Sequence, residues 1–313
     1  MVNFEKYDIH EDFKIKTSIN LNGFMLRFGP ILPKAVSYFS KREKGLKARK
    51  ERIKSFDGEM VPIVILQPKG IFQNAPCILY FHGGAFILGS SPYNANSVLR
   101  LAKSTHAKII FVDYRLAGKY SFPTGVEDCY AALTWTYQNA ERLGINKNKI
   151  AVYGESAGGA LAAAVTQMAR DRKGPPICLQ MLIYPVTDCT LSTESARKFT
   201  DTPVWNAGNN AKMWEVYLRD STKPYSPYAS PLAAETLKTL PSAYVETTEF
   251  DPLRDEGVAY ANRLIEDGVD TELFETKRTV HGFDILVYNN EIIEESLRRR
   301  GNALNKAFVN TTP

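Results

Sequence analysis

Short apolar runs alternate with amphipathic stretches along most of this chain. The runs CILYF, KIIFVDY, KIAVY, LQMLIYP, SAYVETT and TELFET are rich in β-branched and aromatic residues and predict buried strands. Between several of them, residues 125–144, 156–170 and 254–268 carry apolar side chains at helical spacing and predict helices. Strands that alternate with helices indicate an α/β protein with a mostly parallel sheet and helices on both faces.

The N-terminal part of the chain follows a different pattern. Residues 13–50 predict helix, with uneven apolar spacing around Pro30 and Pro33. The next stretch, RIKSFDGEMVPIVILQP, predicts an antiparallel hairpin, because two strand-like runs flank the turn-forming pair Asp57 and Gly58. This hairpin leads into the parallel part of the predicted sheet.

Residues 186–240, called the insertion below, break the alternation. They contain Trp205, Met213, Trp214, Tyr217 and several prolines, but no clean strand pattern. An aromatic-rich insertion between two strands is typical of a cap over a pocket. A loose helical excursion with a small core of its own explains the same residues, and the two interpretations are compatible.

Composition fits an ordinary globular protein and does not indicate a nucleic-acid partner. The chain has 313 residues, of which 44% are hydrophobic and 23% charged. Its formal charge of +5 comes from residues 41–54, where eight Lys and Arg stand against two Glu. No aromatic residues are interleaved with these charges, so the segment indicates a solvated helix face rather than a nucleic-acid surface. Attraction to an anionic membrane surface is the alternative interpretation.

The chain also lacks the sequence features of membrane, secreted and zinc-binding proteins. No apolar run approaches the roughly 20 residues of a membrane span, and the N-terminal residues carry acids and bases without an apolar core. The cysteines Cys77, Cys129, Cys178 and Cys189 are scattered and form no Cys-x-x-Cys pair. We therefore expect reduced thiols, no metal site, no stable membrane insertion and a cytoplasmic location.

The first chemical signal is a serine between two glycines, in the stretch VYGESAGG. Ser156 lies two residues from both Gly154 and Gly158, directly after a predicted strand and before a predicted helix. A sharp strand-to-helix turn crowds the backbone, so its flanking positions require glycine, and it exposes the serine hydroxyl at the edge of the sheet. A glycine-rich phosphate-binding turn is the alternative, but no nucleotide-binding motif accompanies this one. The pattern predicts a nucleophilic serine.

A nucleophilic serine needs a base, and the chain has four histidines. His10 precedes the sheet, His106 lies at a helix end, and His82 comes before Ser156 in the chain. His281 follows the last predicted strand, on a loop at the same edge of the sheet as Ser156. Because the chain order in serine hydrolases of this topology is serine, acid, histidine, His281 is the predicted base.

Several aspartates lie between the serine and the histidine or close to them. Asp251, in the stretch TEFDPLRDEG, directly follows the strand SAYVETT, whereas its main rival Asp188 follows the preceding strand. Asp255 is better placed to start the next helix, and Asp284 follows His281 too closely to reach back. We expect Asp251 to hold the imidazole of His281 in the required tautomer and to stabilise its protonated form.

Together these motifs resemble the hormone-sensitive-lipase-like branch of the α/β hydrolases, which includes many bacterial carboxylesterases. FHGGAF is similar to the glycine-rich loop of that branch, GESAGGALAAA to its serine turn, and LPSAYVETTEFDPL through TVHGF to its acid and base blocks. The likeness covers residues 55–290. It implies the α/β-hydrolase fold, a triad of Ser156, Asp251 and His281, and ester hydrolysis without a cofactor.

The resemblance also implies a domain organisation. The chain would form one α/β-hydrolase domain over residues 1–313. Its catalytic core would comprise residues 51–185 and 241–313, and its cap would comprise residues 1–50 and 186–240. The resemblance further suggests a homodimer through an edge of the sheet. Two positions depart from the family pattern, because Ala85 replaces the third glycine of the loop and Glu155 replaces the usual aspartate before the serine. Ala85 should cost little if its φ is negative, and Glu155 should be a structural hydrogen-bonding residue.

The predicted reaction is hydrolysis of short- to medium-chain esters of small molecules through an acyl-enzyme. The backbone N–H groups of Gly83, Gly84 and Ala157 would bind the oxyanion. His82 would brace the glycine loop rather than react. An amidase, a formamidase or a lipase using the same triad is an alternative, and so is a ligand-binding protein on an inactive scaffold.

Overall fold

The computed structural model describes residues 6–16, 19, 21, 46–71, 73–287 and 290–310. Within these residues, eight strands form one sheet in the order β1-β2-β4-β3-β5-β6-β7-β8. The strands are β1 Leu46–Lys54, β2 Met60–Pro68, β3 Ala75–Phe81, β4 Lys108–Val112, β5 Ile145–Glu155, β6 Leu179–Ile183, β7 Ala243–Phe250 and β8 Thr271–Val280. The pairs β1–β2 and β2–β4 are antiparallel, and every other pair is parallel. The predicted α/β architecture is confirmed.

Helices connect the strands and cover both faces of the sheet. They are α1 Pro92–Thr105, α2 Thr124–Gln138, α3 Ala140–Leu143, α4 Ala157–Asp171, α5 Glu194–Lys198, α6 Ala207–Tyr217, α7 Arg254–Glu266, α8 Phe283–Leu286 and α9 Glu291–Asn310, with short 3-10 turns at Glu11–Phe13 and Pro231–Ala233. The single helix predicted over residues 125–144 is instead two helices, α2 and α3, separated at Asn139. The stretch ends where expected, because Gly144 adopts the left-handed conformation that terminates α3. None of the described helices is long and apolar enough to cross a membrane.

The central strands are buried on both faces, which explains why they are almost continuously apolar. Along β3, Leu79 and Phe81 belong to one apolar core, while Ile78 and Tyr80 belong to the core on the opposite face. The same alternation occurs in the other central strands. Because β3 and β5 to β8 run parallel, their carboxyl ends meet at one edge of the sheet, and the loops that leave this edge carry the predicted catalytic residues.

The predicted hairpin is confirmed, but the helix predicted over residues 13–50 is wrong where it meets this hairpin. Residues 46–50 form the first half of β1, which pairs with β2 from Leu46 opposite Pro68 to Lys54 opposite Met60. These residues therefore belong to the sheet and not to a cap that ends at residue 50. Most of the N-terminal part of the predicted cap lies outside the described residues.

The basic segment is a solvated edge strand over residues 46–54, not the helix face that we expected. Ile53 is the one residue of β1 that is buried, and the Lys and Arg side chains lie at the surface. A strand that is almost wholly exposed shows little alternation between apolar and polar residues. Its sequence therefore lacks the pattern that predicts a strand. Exposed positive charges at the edge of a sheet discourage pairing with another strand.

Candidate active site

The turn that carries Ser156 brings backbone into close contact with backbone. Ser156 lies between β5 and α4, with φ of 56° and ψ of −120°, outside the regions that most residues adopt. A Cβ at Gly154 would lie 1.9 Å from the carbonyl oxygen of Gly158, and a Cβ at Gly158 would lie 2.0 Å from that of Phe81. Both glycines are therefore required by backbone contacts, as the sequence pattern predicted. We call residues 154–158 the serine turn.

The second element of the site is the glycine loop, residues 82–88, which follows β3. Gly83 lies directly against the serine turn, because a Cβ at this position would lie 3.0 Å from the Glu155 carbonyl oxygen and 3.4 Å from the Ser156 Cβ. Among the described residues, none accepts a hydrogen bond from the backbone N–H of Gly83, Gly84 or Ala157. Donors without an internal partner beside a serine hydroxyl are suited to an anion that forms during a reaction.

The predicted base and acid lie in one hydrogen-bonded line with the serine. The Nε2 atom of His281 is 2.9 Å from the Ser156 hydroxyl oxygen, and its Nδ1 atom is 2.7 Å from Oδ2 of Asp251. A carboxylate only accepts hydrogen bonds, so Nδ1 donates to Asp251 and Nε2 accepts from the serine hydroxyl. In this tautomer His281 can remove the hydroxyl proton from Ser156.

Asp251 is held firmly in this orientation. It is fully buried, its Oδ2 accepts from the Thr248 hydroxyl at 2.8 Å, and its Oδ1 accepts from the Leu253 N–H at 2.9 Å. These bonds replace the water that a buried carboxylate loses, and they prevent rotation of the carboxyl group. Thr248 gave no sequence signal, because a threonine near a strand end has many other roles.

The rival acids are engaged elsewhere. Asp188 accepts hydrogen bonds from the N–H and hydroxyl of Thr190, at 2.9 and 2.6 Å. Asp255 accepts from the Ser195 N–H at 2.7 Å. Asp284 accepts from the Tyr184 hydroxyl at 2.7 Å and forms an ion pair with Arg300 at 2.5 Å.

The other histidines have contacts outside the line formed by Ser156, His281 and Asp251. His10 accepts a hydrogen bond from the Asp12 N–H at the first 3-10 turn, and His106 is exposed after the end of α1. His82 is fully buried, with its ring stacked on that of Tyr114 at 4.3 Å between centroids. The Tyr114 hydroxyl donates to the His82 carbonyl oxygen at 2.7 Å. These contacts fix the ring and the backbone of His82 at the start of the glycine loop.

The glycine loop differs from expectation at one position. Ala85 has φ of +57°, a left-handed conformation, so the condition under which its methyl group would cost little is not met. Gly84, with φ of +117°, and Phe86, with φ of +59°, flank it. Three consecutive positive φ values make this loop a strained segment, which is common at functional sites.

Glu155 lies beneath the serine, as a buried hydrogen-bonding residue. Its Oε2 atom accepts from the Asn94 side chain at 3.1 Å, and the residue is 1% exposed. Burial, with the nearby negative charge of Asp284 as a second cause, raises the pKa of Glu155 to about 7. The carboxyl group is therefore largely protonated in mildly acidic solution, so the serine turn does not carry a full buried negative charge there.

Sequence reasoning missed a buried ionic network on the histidine side of the site. Arg300 of α9 is fully buried and pairs with Glu246 at 2.6 Å as well as with Asp284. The Asp284 carboxylate holds the hydroxyl of Tyr184, whose ring meets His281 edge-on at 4.8 Å. Nothing in the pattern RRRGN distinguishes this arginine from its solvated neighbours.

A cavity opens above Ser156 and His281. It has a volume of about 170 Å³. Its walls are mostly apolar and include parts of the glycine loop, α8 and the insertion, from which Val204 and Trp205 contribute. The arrangement combines a serine hydroxyl hydrogen-bonded to a histidine, N–H donors with no acceptor in the part of the chain that the structure describes, and an apolar space of limited size.

The comparisons with known proteins agree with this geometry. A family model described as the alpha/beta hydrolase fold matches residues 78–285. The chain is 39% identical to an arylesterase from Saccharolobus solfataricus over 90% of this chain and 87% of that one, and 36% identical to the carboxylesterase NlhH from Mycobacterium tuberculosis over 74% of each. The crystal structure of esterase LipW from Mycobacterium marinum superposes with a TM-score of 0.85 at 32% identity, over 93% of this chain and 92% of that one. The chain belongs to the hormone-sensitive-lipase-like family of α/β hydrolases.

Proposed function

We propose that this chain is a serine carboxylesterase that hydrolyses short- to medium-chain acyl esters through an acyl-enzyme intermediate. It is a hydrolase that acts on ester bonds, in keeping with the esterases and carboxylesterases among its relatives. The observation that carries the proposed mechanism is the hydrogen-bonded line from Asp251 through His281 to Ser156, beside which lie N–H donors with no acceptor among the described residues.

In the first step, Ser156 Oγ forms a bond to the ester carbonyl carbon while its proton moves to His281 Nε2. The negative charge that develops on the carbonyl oxygen is stabilised by the N–H groups of Gly83, Gly84 and Ala157. The imidazolium is stabilised by Asp251, which keeps its charge throughout. When the tetrahedral intermediate collapses, the C–O bond to the alcohol breaks and His281 Nε2 donates its proton to the leaving oxygen.

In the second step, a water molecule attacks the acyl-enzyme. His281 removes its proton, the same N–H groups stabilise the second oxyanion, and collapse of this intermediate returns the proton to Ser156 and releases the acid. Each group therefore serves both half-reactions in the same position. The same groups can act in both steps because His281 is held rigidly between the serine and the aspartate.

The size of the cavity supports a small acyl group. Its volume of about 170 Å³ is below the roughly 300–1,000 Å³ that is typical of drug-sized ligand sites. We expect p-nitrophenyl esters of two to about six acyl carbons to be hydrolysed best, with kcat/KM falling for longer chains. Equal rates for acetyl and palmitoyl esters would contradict this part of the proposal and favour a lipase.

The triad is tested by three variants. Ser156→Ala should lower kcat at least about 10⁴-fold while the protein stays folded, because no other group can form the acyl-enzyme. Asp251→Asn should also lower kcat strongly, about 10³–10⁴-fold, whereas Asp188→Asn should change it less than about threefold. The opposite ranking of the two aspartate variants would transfer the orienting role to Asp188.

Two further measurements separate esterase from the alternatives. A fluorophosphonate probe should label the wild-type protein at Ser156 and should not label Ser156→Ala. Absence of labelling in folded protein would favour a ligand-binding scaffold. Matched anilide and ester substrates should differ by orders of magnitude in kcat/KM, and comparable values would favour an amidase. The cytoplasmic location and the homodimer through an edge of the sheet stay predictions.

A further inference from the structure

The glycine loop contains strain that must be held in place by its surroundings. Phe86 has φ of +59°, which is unusual for a bulky residue, and it directly follows Gly84 and Ala85 at positive φ. Such a conformation persists only where neighbouring groups determine it, because the free chain would relax to negative φ. The contacts of Phe86 therefore decide where the N–H groups of Gly83 and Gly84 lie.

Backbone hydrogen bonds hold part of this loop. The Ile87 and Leu88 N–H groups donate to the Gly84 carbonyl oxygen at 2.9 and 2.7 Å. The Ala117 N–H donates to the Phe86 carbonyl oxygen at 2.7 Å. These bonds close the loop on itself and attach it to the segment after β4, but they leave the ring of Phe86 to be fixed by other contacts.

The ring of Phe86 is fixed by a residue of the insertion. It stacks on the ring of Tyr217 with a centroid separation of 3.9 Å and an angle of 5° between the planes. Both side chains are 2% exposed. Neither is among the described residues that line the cavity, so this contact does not shape the substrate pocket directly.

Tyr217 is itself attached to the same segment after β4. It is the last residue of α6, and its carbonyl oxygen accepts from the Phe122 N–H at 3.0 Å. Nearby, the guanidinium of Arg219 donates to the carbonyl oxygens of Ala117 and Lys119. The end of α6, the segment 117–122 and the glycine loop thus form one connected unit.

We propose that Tyr217 is a positioning residue for the oxyanion site, acting through the ring of Phe86. Its flat ring keeps Phe86 in the left-handed conformation, and this conformation aims the N–H groups of Gly83 and Gly84 at the reacting carbonyl. The insertion then acts on the chemical step as well as on access to the cavity. The inference rests on the proposed function, since it assumes that these N–H groups stabilise an oxyanion.

The test compares two variants, each of which removes one buried aromatic ring from the insertion. Tyr217→Ala should lower kcat for p-nitrophenyl butyrate about 10- to 100-fold and change KM less than about threefold, because small displacements of oxyanion donors are costly only in the transition state. Phe199→Ala is the matched control: Phe199 is also 2% exposed and belongs to the insertion, but it packs on Tyr7 and Phe250. It should keep kcat within about twofold.

Two substitutions at the same position separate positioning from folding. Tyr217→Phe keeps the ring and should retain at least about half of wild-type kcat. Tyr217→Leu keeps apolar volume without a flat ring, so it should fold even if Tyr217→Ala does not, and it should show the loss of kcat. Near-wild-type kcat in a folded Tyr217→Leu variant would overturn the proposal, as would an equal loss in Phe199→Ala.

A binding measurement provides a second readout. A trifluoromethyl ketone forms a tetrahedral adduct with a nucleophilic serine, and its oxygen would occupy the oxyanion site. Its inhibition constant should rise in Tyr217→Leu by the same factor by which kcat/KM falls. An unchanged inhibition constant would overturn the positioning role. If the wild-type protein itself neither hydrolyses esters nor reacts with the ketone, the proposed function fails, and this is distinguishable from failure of the Tyr217 inference alone.

Discussion

The serine turn and the glycine loop meet beside Ser156, and both contain backbone that most residues avoid, yet they are supported in different ways. In the serine turn, backbone presses on backbone, and the Cβ positions of Gly154 and Gly158 fall within 2.0 Å of carbonyl oxygens. In the glycine loop, the corresponding closest approach is 2.7 Å, from Gly84 to the Leu88 carbonyl oxygen within the loop itself. Side chains, including the ring of Tyr217, complete the support there.

Because of this difference, the geometry of the serine turn is fixed by the fold, whereas the geometry of the glycine loop can be changed by its neighbours. The serine turn joins the central strand β5 to the buried helix α4, so its geometry cannot change without moving the core. The glycine loop depends on contacts with the insertion, whose sequence is not constrained by the sheet. Substitutions of Gly154 and Gly158 in the serine turn should therefore act on stability, and substitution of Gly84 in the glycine loop should act mainly on catalysis.

The largest effect is expected for Gly158→Ala. Its methyl group would lie 2.0 Å from the Phe81 carbonyl oxygen and 2.8 Å from that of His82, so α4 must move away from β3. We expect a loss of more than about 4 kcal/mol in the free energy of unfolding, measured by urea denaturation, or failure to fold. Gly208→Ala is the matched control, because Gly208 is also the second residue of a helix but its Cβ would meet its nearest neighbour at 3.5 Å. Comparable stabilities for the two variants would contradict the contrast.

The second largest effect is expected for Gly84→Ala, which should lower activity more than stability. Gly84→Ala combines a φ of +117° with a contact at 2.7 Å to a loop that can yield, so we expect about 1–3 kcal/mol of destabilisation and a fall in kcat of about 100-fold. Gly70→Ala isolates the backbone strain, because Gly70 has φ of +83° but an open surrounding and lies in the turn after β2, at the edge of the sheet opposite to Ser156. It should lose stability with unchanged kcat. Loss of folding in Gly84→Ala would place the loop in the same class as the serine turn.

Both regions were recognised from sequence for a physical reason. A crowded turn requires glycine at fixed positions, so it is visible in the sequence as the spacing of Gly154, Ser156 and Gly158. The serine, histidine and aspartate each follow the end of a strand, and the apolar runs of these strands are short and distinct. The structure brings Ser156, His281 and Asp251 within hydrogen-bonding distance in the expected order. The antiparallel start of the sheet follows from the Asp57–Gly58 turn, whereas the strand order, in which β4 lies between β2 and β3, was not predicted.

What the sequence did not predict depends on contacts between distant segments. The positive φ of Ala85 is set by its surroundings, since alanine has no preference for that conformation. The stack of Phe86 on Tyr217 joins residues 131 positions apart, and Arg300 lies 54 positions from Glu246. The first half of β1 was missed because an exposed strand has no apolar alternation to display.

A third prediction concerns the charge beneath the serine turn. The pKa of Glu155 is raised to about 7, so the folded protein keeps this proton over a range in which the unfolded chain, with a pKa near 4.5, has lost it. The unfolded state then binds fewer protons, and the free energy of unfolding should fall as pH rises from about 4.5 to 7, by up to about 1.4 kcal/mol per pH unit. Glu155→Gln should remove this slope.

The measurement is urea unfolding of the wild type and Glu155→Gln at pH 5.0, 6.0 and 7.0. The glutamine keeps an oxygen to accept from Asn94, so the variant should fold and should gain stability relative to wild type as pH rises. Glu235→Gln, at an exposed position, should give a curve parallel to that of the wild type. Parallel curves for wild type and Glu155→Gln would show that the serine turn does not contain this protonated group.

The smallest effect is expected at Ala85, where the glycine loop departs from the family pattern. Ala85→Gly relieves a left-handed alanine, worth about 1–2 kcal/mol, but it adds freedom to the unfolded chain, worth about 0.4–1 kcal/mol. The net change should be a gain of up to about 1.6 kcal/mol in the free energy of unfolding. In contrast, Ala132→Gly, in the buried middle of α2, should lose about 1 kcal/mol in the free energy of unfolding.

Because Ala85 lines the cavity, removal of its methyl group should also move the optimum of the p-nitrophenyl ester series toward a longer acyl chain by about one carbon. A loss of stability equal to that of Ala132→Gly, with an unchanged chain-length optimum, would mean that the strain at Ala85 is absent in solution and that the loop is less constrained than its contacts with the insertion indicate.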